Sequence, residues 1–444
     1  MAQENPAAAL GNIVNTPELW DKIKFTLLVL LVFRIGTSVT VPGVDTAALL
    51  SFFQQQSGGL LGLYDLFVGG SLSRATVFAL GIMPYISASI FMQIAGAVLP
   101  QVEKLQKDEE GRKKTMQWSR YLTVLLAIVQ GYGFTLFLES DQLQGAVLAP
   151  GFAFRMQSTL FFTVGAVFCM WLGEQITERG LGNGASLMIF FGIIERLWSS
   201  LFKTFNYISI GTLTPFGLLV LVVVMAAVVA GVVAITLAAR RIAIQIPQRT
   251  MARGRMREAA KNFIPLRINS AGVMPIIFAQ SFIVVPGAIA QFSGNQSMSN
   301  FADYFVPGRP AYYALSALLI VFFTYFYTSI IFNPVDLAEN LKKQGGFIPG
   351  VKPGSATAEY IDSVLSRITL PGAIFLTFIA LLPIWITDAI NVPFTFGGTS
   401  LLIVVGVALD TMAQMQQHLL LRKYDGFMKK GRVRFRGRGQ VGGF

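Results

Sequence analysis

Long uninterrupted runs of apolar residues dominate the pattern of hydrophobic and polar positions along this chain. Ten of the runs approach the length of about 20 residues that a helix needs to cross the hydrocarbon core of a bilayer. They begin near Phe25, Thr76, Tyr121, Thr159, Asn183, Phe216, Ala271, Tyr312, Leu370 and Thr399. The pattern predicts an all-α integral membrane protein with about ten transmembrane helices.

The first of these runs is interpreted as a retained span. It follows Asp21, Lys22 and Lys24 and extends over residues 25 to about 41. A removed signal peptide would be followed by a small-residue cleavage pattern, and the sequence after this run has none.

The overall composition favours the same environment. Apolar residues make up 53% of the 444 residues and charged residues 13%, whereas soluble domains carry about 25% charged residues. An ionised side chain at the middle of a span costs about 2.5–3.5 kcal/mol on insertion scales. A chain whose surface faces lipid therefore loses charged residues, and the composition argues against two or three soluble domains.

The basic residues are concentrated in alternate loops. With the loops assigned to alternate sides of the membrane, 29 of the 35 Lys and Arg residues fall on one side. The segments on that side are 1–24, 99–120, 174–182, 239–270, 333–370 and 417–444. The positive-inside rule then predicts that both termini are cytoplasmic.

The sequence offers few groups for catalysis, metal binding or ion coupling. Cys169 is the only cysteine and His418 the only histidine, which excludes an intrachain disulfide and a His-based zinc site. The phosphate-binding pattern G-x-x-x-x-G-K-[ST] does not occur. Ionisable residues within the predicted spans are scattered and are interpreted as structural charges: Arg34, Glu195, Asp388 and Asp410. We expect a conduit that has no cofactor and no enzymatic activity.

Ten spans permit a division of the chain into two halves of five. An odd number of spans per half gives the halves opposite topology, as in conduits built from inverted repeats around a central pathway. We predict an N-terminal half at 1–205, a C-terminal half at 206–428 and a basic disordered tail at 429–444. This division rests on the span count, without a convincing residue-level repeat.

Six short motifs are more specific than hydropathy. They are GGSLSR (69–74), ALGIMPYISASI (79–90), WLGEQITERG (171–180), GNG (182–184), NSAGVMP (269–275) and GGTSLLI (397–403). Together and in this order they closely resemble the SecY family, the central subunit of the bacterial protein-conducting channel. The resemblance covers all ten spans. It implies a channel in the bacterial inner membrane that passes unfolded secretory polypeptides and releases transmembrane segments sideways into lipid.

The resemblance implies a pore ring of six residues. They are Ile82, Ile86, Ala185, Ile189, Ile277 and Ile403. Ile82 and Ile86 are four residues apart and share one face of a helix. An apolar constriction excludes water and ions by dewetting and makes no side-chain-specific contacts, which suits a channel for chains of any sequence. Ala185 is smaller than the aliphatic residue expected at its position.

The apolar run at 60–68 is too short to span the membrane and resembles the plug helix of the family. A short helix at membrane depth is tolerated only where protein buries it or where it lines a cavity. The alternative is an ordinary amphipathic helix on the outer surface. The plug implied by the resemblance covers 60–74 and includes Leu60, Leu63, Leu66, Phe67, Gly69, Gly70 and Arg74. Gly69 and Gly70 provide backbone freedom for the plug to swing away.

Spans two and seven are implied to form a lateral gate that contains Pro84, Ser87 and Pro275. Each proline removes a helical hydrogen bond and is predicted to kink its span. Proline kinks are also common in ordinary spans, so the prolines support the gate only together with the motifs.

The two longest cytoplasmic loops are predicted to dock partners. The loop at 239–270 presents Arg249, Arg253, Arg255 and Arg257 to the phosphates of ribosomal RNA or to acidic surfaces of a motor ATPase. The loop at 333–370 has Lys352 where the family usually has arginine, so it keeps the charge without the planar guanidinium fork. The alternative is that both loops only set the topology.

The resemblance also implies a set of partners. They are SecE-like and SecG-like small membrane subunits, a SecA-type motor ATPase, the ribosome and secretory preproteins with signal sequences. Anionic lipids are expected as partners of the basic tail at 429–444 instead. A secondary transporter for a small solute is the competing function, and it would contain a pocket with converging polar groups. An intramembrane protease lacks a catalytic set.

Overall fold

The computed structural model describes residues 17–55, 59–140, 143, 145–209, 215–245, 262–292, 297–298, 300, 304–390 and 398–430. Its elements in chain order are α1 (Pro17–Gly36), α2 (Thr46–Gln55), α3 (Leu60–Phe67), α4 (Met83–Val98), α5 (Pro100–Lys107), α6 (Glu109–Leu138), α7 (Phe152–Arg179), α8 (Gly184–Ser209), α9 (Pro215–Leu237), β1 (Ala239–Ile244), β2 (Asn262–Arg267), α10 (Met274–Phe292), α11 (Pro310–Ile331), α12 (Pro334–Lys343), α13 (Ser355–Ile390) and α14 (Gly398–Lys430). Ten of these helices coincide with the ten predicted spans: α1, α4, α6, α7, α8, α9, α10, α11, α13 and α14.

Length and hydropathy together identify six membrane-spanning segments within the described residues. They are Glu109–Leu138, Phe152–Arg179, Met274–Phe292, Pro310–Lys343, Ser355–Trp385 and Thr399–Leu419. A seventh is formed by α4 and α5 if they are counted as one span bent by 103°. A helix pairs its backbone polar groups internally, which is the condition for crossing hydrocarbon. The predicted all-α membrane architecture is confirmed.

The outward faces of the spans carry large apolar side chains. On α1, Leu28 and Leu31 are each 60% exposed, and on α7 Leu160 is 64% exposed. Contiguous apolar surface of this kind is unusual on a soluble protein. Lipid is the environment that such a surface requires.

The spans pack into a bundle in which neighbours in the chain are mostly neighbours in space. In the first half α1 packs on α7 and α8, while α6 packs on α4 and α7. In the second half α11 packs on α10 and α13, while α9 packs on α13 and α14. Two junctions join these groups: α10 contacts α4 and α6, and α8 contacts α14.

The two helices that meet at the first junction begin with the same residues. GIMPYISA at 81–88 and GVMPIIFA at 272–279 share glycine, methionine, proline, isoleucine and alanine at equivalent positions. The glycines Gly81 and Gly272 both adopt positive φ, +54° and +63°, a region that glycine occupies without strain. The two helices therefore start with the same local geometry, and the division of the chain into two halves stays a prediction.

The predicted kinks at Pro84 and Pro275 are wrong. Each proline is the second residue of its helix, where the missing N–H has no intrahelical partner to lose. Span two accordingly begins at Met83 rather than near Thr76, because residues 77–82 form turns. Prolines inside helices are Pro286 in α10 and Pro371 and Pro383 in α13.

A second, smaller hydrophobic core lies outside the bundle. Antiparallel strands β1 and β2 pair from Ala239 with Arg267 to Ile244 with Asn262. Gln245 then exchanges two backbone hydrogen bonds of 3.0 Å with Phe347. The core contains Ile242, Ile244, Leu266, Leu341, Ile348, Ile361 and Leu365. We call residues 239–245, 262–267 and 334–354 the loop platform, since the two long loops fold into one ordered unit there.

Gly165→Ala tests how closely α7 packs on the turn that precedes α4. A β-carbon at Gly165 would lie 1.9 Å from the carbonyl oxygen of Val77, and a backbone atom cannot swing aside as a side chain can. We expect the free energy of unfolding to fall by about 1–3 kcal/mol or more, measured as a lower Tm of the purified protein in detergent.

Gly133→Ala on α6 is the matched control for this substitution. Its β-carbon would meet the β-carbon of Phe292 at 3.4 Å, an ordinary contact, and alanine has the higher helix propensity. We expect no loss of stability. Equal Tm values for the two variants would contradict the packing described for Gly165.

Candidate pore, plug and lateral gate

A cavity of about 180 Å³ lies where α4, α7, α8 and α10 converge. Four of the six predicted ring residues line it: Ile86, Ala185, Ile189 and Ile277. The three isoleucines are buried and Ala185 is partly buried. The structure thus brings residues from three different helices around one space, although Ile86 and Ile277 are 191 positions apart in the sequence.

The other two predicted ring residues lie beside this space. Ile82 is buried in the turn before α4, and its Cδ1 would be 2.9 Å from a β-carbon placed on Gly173, which lines the cavity. Ile403 on α14 is fully buried and belongs to the same continuous hydrophobic core. The role of all six residues as a ring stays a prediction.

One wall of the cavity is polar. It is formed by Ser89, Gln93, Thr177, Asn183 and Ser186. Tyr85, Ser89 and Gln93 recur every four residues on one face of α4, and they also line a second cavity of about 430 Å³ next to α5. Arg120 and Glu174 form an ion pair of 2.9 Å in the same region. The apolar ring residues therefore lie beside polar side chains, and apolar surface of this kind resists the entry of water by dewetting.

The short helix α3 is enclosed by the bundle. All eight of its residues are buried, and it packs on α8 and α10. The Tyr64 hydroxyl has one proton to donate, and two acceptors lie within reach of it: the carbonyl oxygen of Leu80 at 3.3 Å and Oε1 of Gln130 at 3.5 Å. The alternative of an amphipathic helix on the outer surface is wrong, because α3 has no exposed face.

The predicted plug residues divide into two groups by exposure. Those in and directly after α3 are buried: Leu60, Leu63, Leu66, Phe67, Gly69 and Gly70. Arg74 is exposed. The segment therefore passes from the interior of the bundle to its surface over a few residues.

Two glycines on the neighbouring spans make room for α3. A β-carbon on Gly192 of α8 would lie 3.1 Å from the Cα of Gly69, and one on Gly287 of α10 would lie 2.7 Å from Cδ1 of Leu60. Gly69 itself adopts φ +67°. These close approaches require glycine in addition to any freedom of movement that Gly69 and Gly70 provide.

One face of α8 serves both the cavity and α3. Ala185 and Ile189 line the cavity, Gly192 contacts Gly69, and Arg196 forms an ion pair with Asp65. The spacing of four, three and four residues puts these side chains on a single helix face. A displacement of this face acts on the cavity and on α3 together.

Adjacent charges on α8 connect it to two different elements. Glu195 pairs with Arg34 of α1, and Arg196 pairs with Asp65 of α3. Asp65 also accepts a hydrogen bond of 2.9 Å from the backbone N–H of Ser73. The pairing of Arg34 with Glu195 agrees with their interpretation as structural charges. The pair of Asp65 and Arg196 was missed, although a lone acid in the apolar run 60–68 is visible in the sequence.

Two buried glutamines on the spans were also missed. Gln130 accepts from Tyr64, and Gln280 accepts from Tyr312 at 3.4 Å. Within the described part of the chain, the Nε2 atoms of both glutamines have no hydrogen-bond partner. A glutamine inside an apolar run was the available signal.

The predicted lateral gate lies at the junction of α4 and α10. Pro84 and Pro275 begin the two helices, and Ser87 is buried with its hydroxyl bonded to its own helix. The rings of Phe91 and Phe282 face each other across the junction with centroids 6.3 Å apart. Both rings are partly exposed, so the seam is closed by an aromatic contact at the bundle surface, where aromatic pairs add about 0.5–1.5 kcal/mol.

Only one of the predicted docking residues, Lys352, lies within the described part of the chain. Lys352 is exposed in the loop platform, where its carbonyl oxygen accepts a hydrogen bond from the Thr357 hydroxyl at 2.9 Å. Arg249, Arg253, Arg255 and Arg257 lie outside the described residues. Of the predicted tail, residues 429–430 continue α14 and 431–444 lie outside the described residues.

A bundle of ten helices with a partly apolar internal cavity, and a buried short helix beside it, is the fold of a polytopic membrane channel. The SecY family model matches residues 76–412. The protein translocase subunit SecY of Pseudomonas aeruginosa is 43% identical over 446 residues, which cover 99% of this chain and 100% of that protein. The chain belongs to the SecY family, and it is a multi-pass protein of the bacterial inner membrane.

Solved structures support the fold at lower identity. A SecY structure described as showing a plug domain that stabilises the closed state of the translocation channel is 17% identical, with a TM-score of 0.67. It is matched over 93% of this chain and 94% of that chain. Sec61 in the canine ribosome-channel complex from the endoplasmic reticulum is also 17% identical, with a TM-score of 0.63 and the same coverage. The channel fold is therefore shared well beyond close relatives.

Ile86→Ser combined with Ile277→Ser tests the apolar seal. Hydroxyl groups in place of branched apolar side chains allow water to wet the cavity, so we expect higher resting ion conductance of the purified protein in planar bilayers.

Ile90→Ser combined with Ile283→Ser is the control, because these isoleucines are equally buried on the same two helices outside the cavity wall. Conductance that rises in both double variants alike would mean that loosened packing, not the seal, is responsible.

Proposed function

We propose that this chain is the channel-forming subunit through which unfolded secretory polypeptides cross the bacterial inner membrane. The observation that carries the proposal is the convergence of Ile86, Ala185, Ile189 and Ile277 on one cavity. Branched apolar side chains form a seal that adapts to a passing chain without reading its sequence. The names of the relatives, translocase subunit and protein-conducting channel, support the same activity.

The seam between α4 and α10 is the proposed exit into lipid. At this seam α4 of the first half contacts α10 of the second half, and Phe91 with Phe282 lies at its exposed edge. An apolar transmembrane segment can replace such an aromatic contact with its own side chains. The gate therefore requires separation of two helices rather than unfolding of either.

The proposed division places the N-terminal half at 1–205 and the C-terminal half at 206–428. The packing of α1, α4, α6, α7 and α8 with one another, and the repeated octapeptide at the start of α4 and α10, support two related halves. In this arrangement the pathway runs between the halves.

The loop platform and the termini are proposed to face the cytoplasm. The excess of basic residues in the corresponding segments supports this orientation. Lys352 on the platform and Arg249, Arg253, Arg255 and Arg257 are the proposed contacts to a SecA-type ATPase and to the ribosome. The ribosome complex of Sec61 supports the second of these partners. SecE-like and SecG-like subunits and anionic lipids complete the proposed assembly.

Transport in this proposal is not enzymatic. The relatives, named as translocase subunits and channels, support this. The energy for movement comes from the partner, either the ATPase or the translating ribosome. A small-solute transporter is not favoured, because the relatives are named as protein translocase subunits.

A photo-crosslinking residue at position 86 tests the proposed function. We expect it to form adducts with a secretory polypeptide stalled halfway through the channel, because position 86 lines the cavity. The same residue at position 28, which is 60% exposed on the outside of α1, is the control and should react with lipid only. Equal adducts at both positions, or none at position 86, would exclude this pathway.

Lys352→Glu tests the docking role of the platform. Replacing an attraction with a like-charge repulsion weakens binding by about 10-fold or more at an interface. We expect weaker binding of the ATPase to the reconstituted channel, measured across a salt titration. Lys342→Glu on α12 is an equally exposed control. If both variants bind like the parent protein, the platform charges act only as topology signals.

A further inference from the structure

Asp65 places a carboxylate inside an otherwise apolar helix. Its side chain is 2% exposed, and it forms an ion pair with Nη2 of Arg196. Its Oδ1 accepts the backbone N–H of Ser73 at 2.9 Å, and its own carbonyl oxygen accepts the N–H of Gly70 at 2.8 Å. One residue therefore connects α3, the turn that follows it and the span α8.

We propose that Asp65 and Arg196 form a latch that holds α3 in the closed position. The term plug for α3 rests on the proposed function, but the latch itself rests on the ion pair. A buried charge is stable only while it is paired, and removal of one partner leaves the other without compensation. The free energy of the unpaired carboxylate then falls when it moves into water, and α3 moves with it.

The two partners of the latch are not equivalent. Arg196 is 31% exposed, whereas Asp65 is 2% exposed. A solitary Arg196 can therefore reach solvent at small cost, because its long side chain is flexible. A solitary Asp65 cannot reach solvent while α3 stays in place. Loss of Arg196 must open the channel more than loss of the Asp65 charge does.

The position of Arg196 couples the latch to the cavity. Arg196 lies on the same face of α8 as Ile189 and Gly192, two turns beyond the cavity. A helix transmits a displacement along its axis as a rigid element. A polypeptide that pushes Ile189 aside therefore also moves the guanidinium away from Asp65, and entry of the chain weakens the hold on α3.

The neighbouring ion pair provides a matched comparison. Glu195 is adjacent to Arg196 in sequence, but it pairs with Arg34 of α1 and not with α3. Neutralising Glu195 changes the charge of α8 by one unit at nearly the same depth. It leaves Asp65 paired, so α3 should remain closed.

The test measures exposure of α3 directly. Leu63→Cys, introduced into the full chain with Cys169→Ala, places a single cysteine at a buried position of α3. The protein is reconstituted into vesicles, and a water-soluble maleimide present on both sides of the membrane labels the cysteine when α3 leaves the bundle. Labelling does not depend on transport of any polypeptide.

We expect Arg196→Gln to raise the labelling rate by roughly 10- to 100-fold, since it leaves a buried carboxylate unpaired. Asp65→Asn keeps the hydrogen bond to Ser73 and should raise the rate by less than about 10-fold. The double variant Asp65→Asn with Arg196→Gln should label more slowly than Arg196→Gln alone. Glu195→Gln should label like the parent protein.

Three results would overturn the latch: parental labelling in Arg196→Gln, equal labelling in Glu195→Gln and Arg196→Gln, or a double variant that labels as fast as Arg196→Gln. If Arg196→Gln does not fold, Asp65→Asn with Arg196→Lys decides, because the lysine keeps the positive charge of α8 while the neutral amide cannot form an ion pair with it. Labelling of this variant at the parental rate would overturn the latch. If the labelling rates of the variants are those expected for the latch but position 86 forms no crosslink, the proposed function is refuted and the latch still stands.

Discussion

Backbone groups buried away from water must find partners, and residues 68–82 are the place where this constraint shapes the molecule. This stretch is not helical, yet most of it is buried. Its N–H groups bond locally or to the neighbouring segment, with Gly70 on Asp65 at 2.8 Å, Thr76 on Ser71 at 3.0 Å and Val77 on Val39 at 2.8 Å. An irregular chain inside a membrane protein is stable only when enclosed in this way. The positions of α3 before it and α4 after it follow from that enclosure.

The enclosure depends on close backbone contacts that only glycine allows. Gly165 of α7 lies against the carbonyl oxygen of Val77, and Gly192 of α8 lies against Gly69. Arg196 then adds a charge contact to the same buried segment. The cavity, α3 and α4 are consequently parts of one packing arrangement. Because protein interiors are packed as densely as organic crystals, a displacement of one of them also displaces the others.

The spans were predictable because ten apolar runs carry their own signal. Four of the six residues that the family resemblance names as a ring line the cavity, and the ring itself stays a prediction. The start of α4 at Met83 was not predictable, because it depends on how residues 77–82 pack against α7 and not on Pro84. The pair of Asp65 and Arg196 was not predictable either, since the partners are 131 positions apart. Sequence pattern gives local structure, whereas pairing across the bundle is a property of the fold. Arg249, Arg253, Arg255 and Arg257 remain predictions from sequence.

The charges of the segment at 60–74 also determine how it responds to an electric field. It contains one acid, Asp65, and one base, Arg74, so its net charge is zero. A membrane potential does work of about 2.3 kcal/mol per elementary charge for each 100 mV, and for a segment that moves as a unit the two contributions cancel. The voltage across an energised membrane therefore acts on this segment as on a dipole and not as on a net charge.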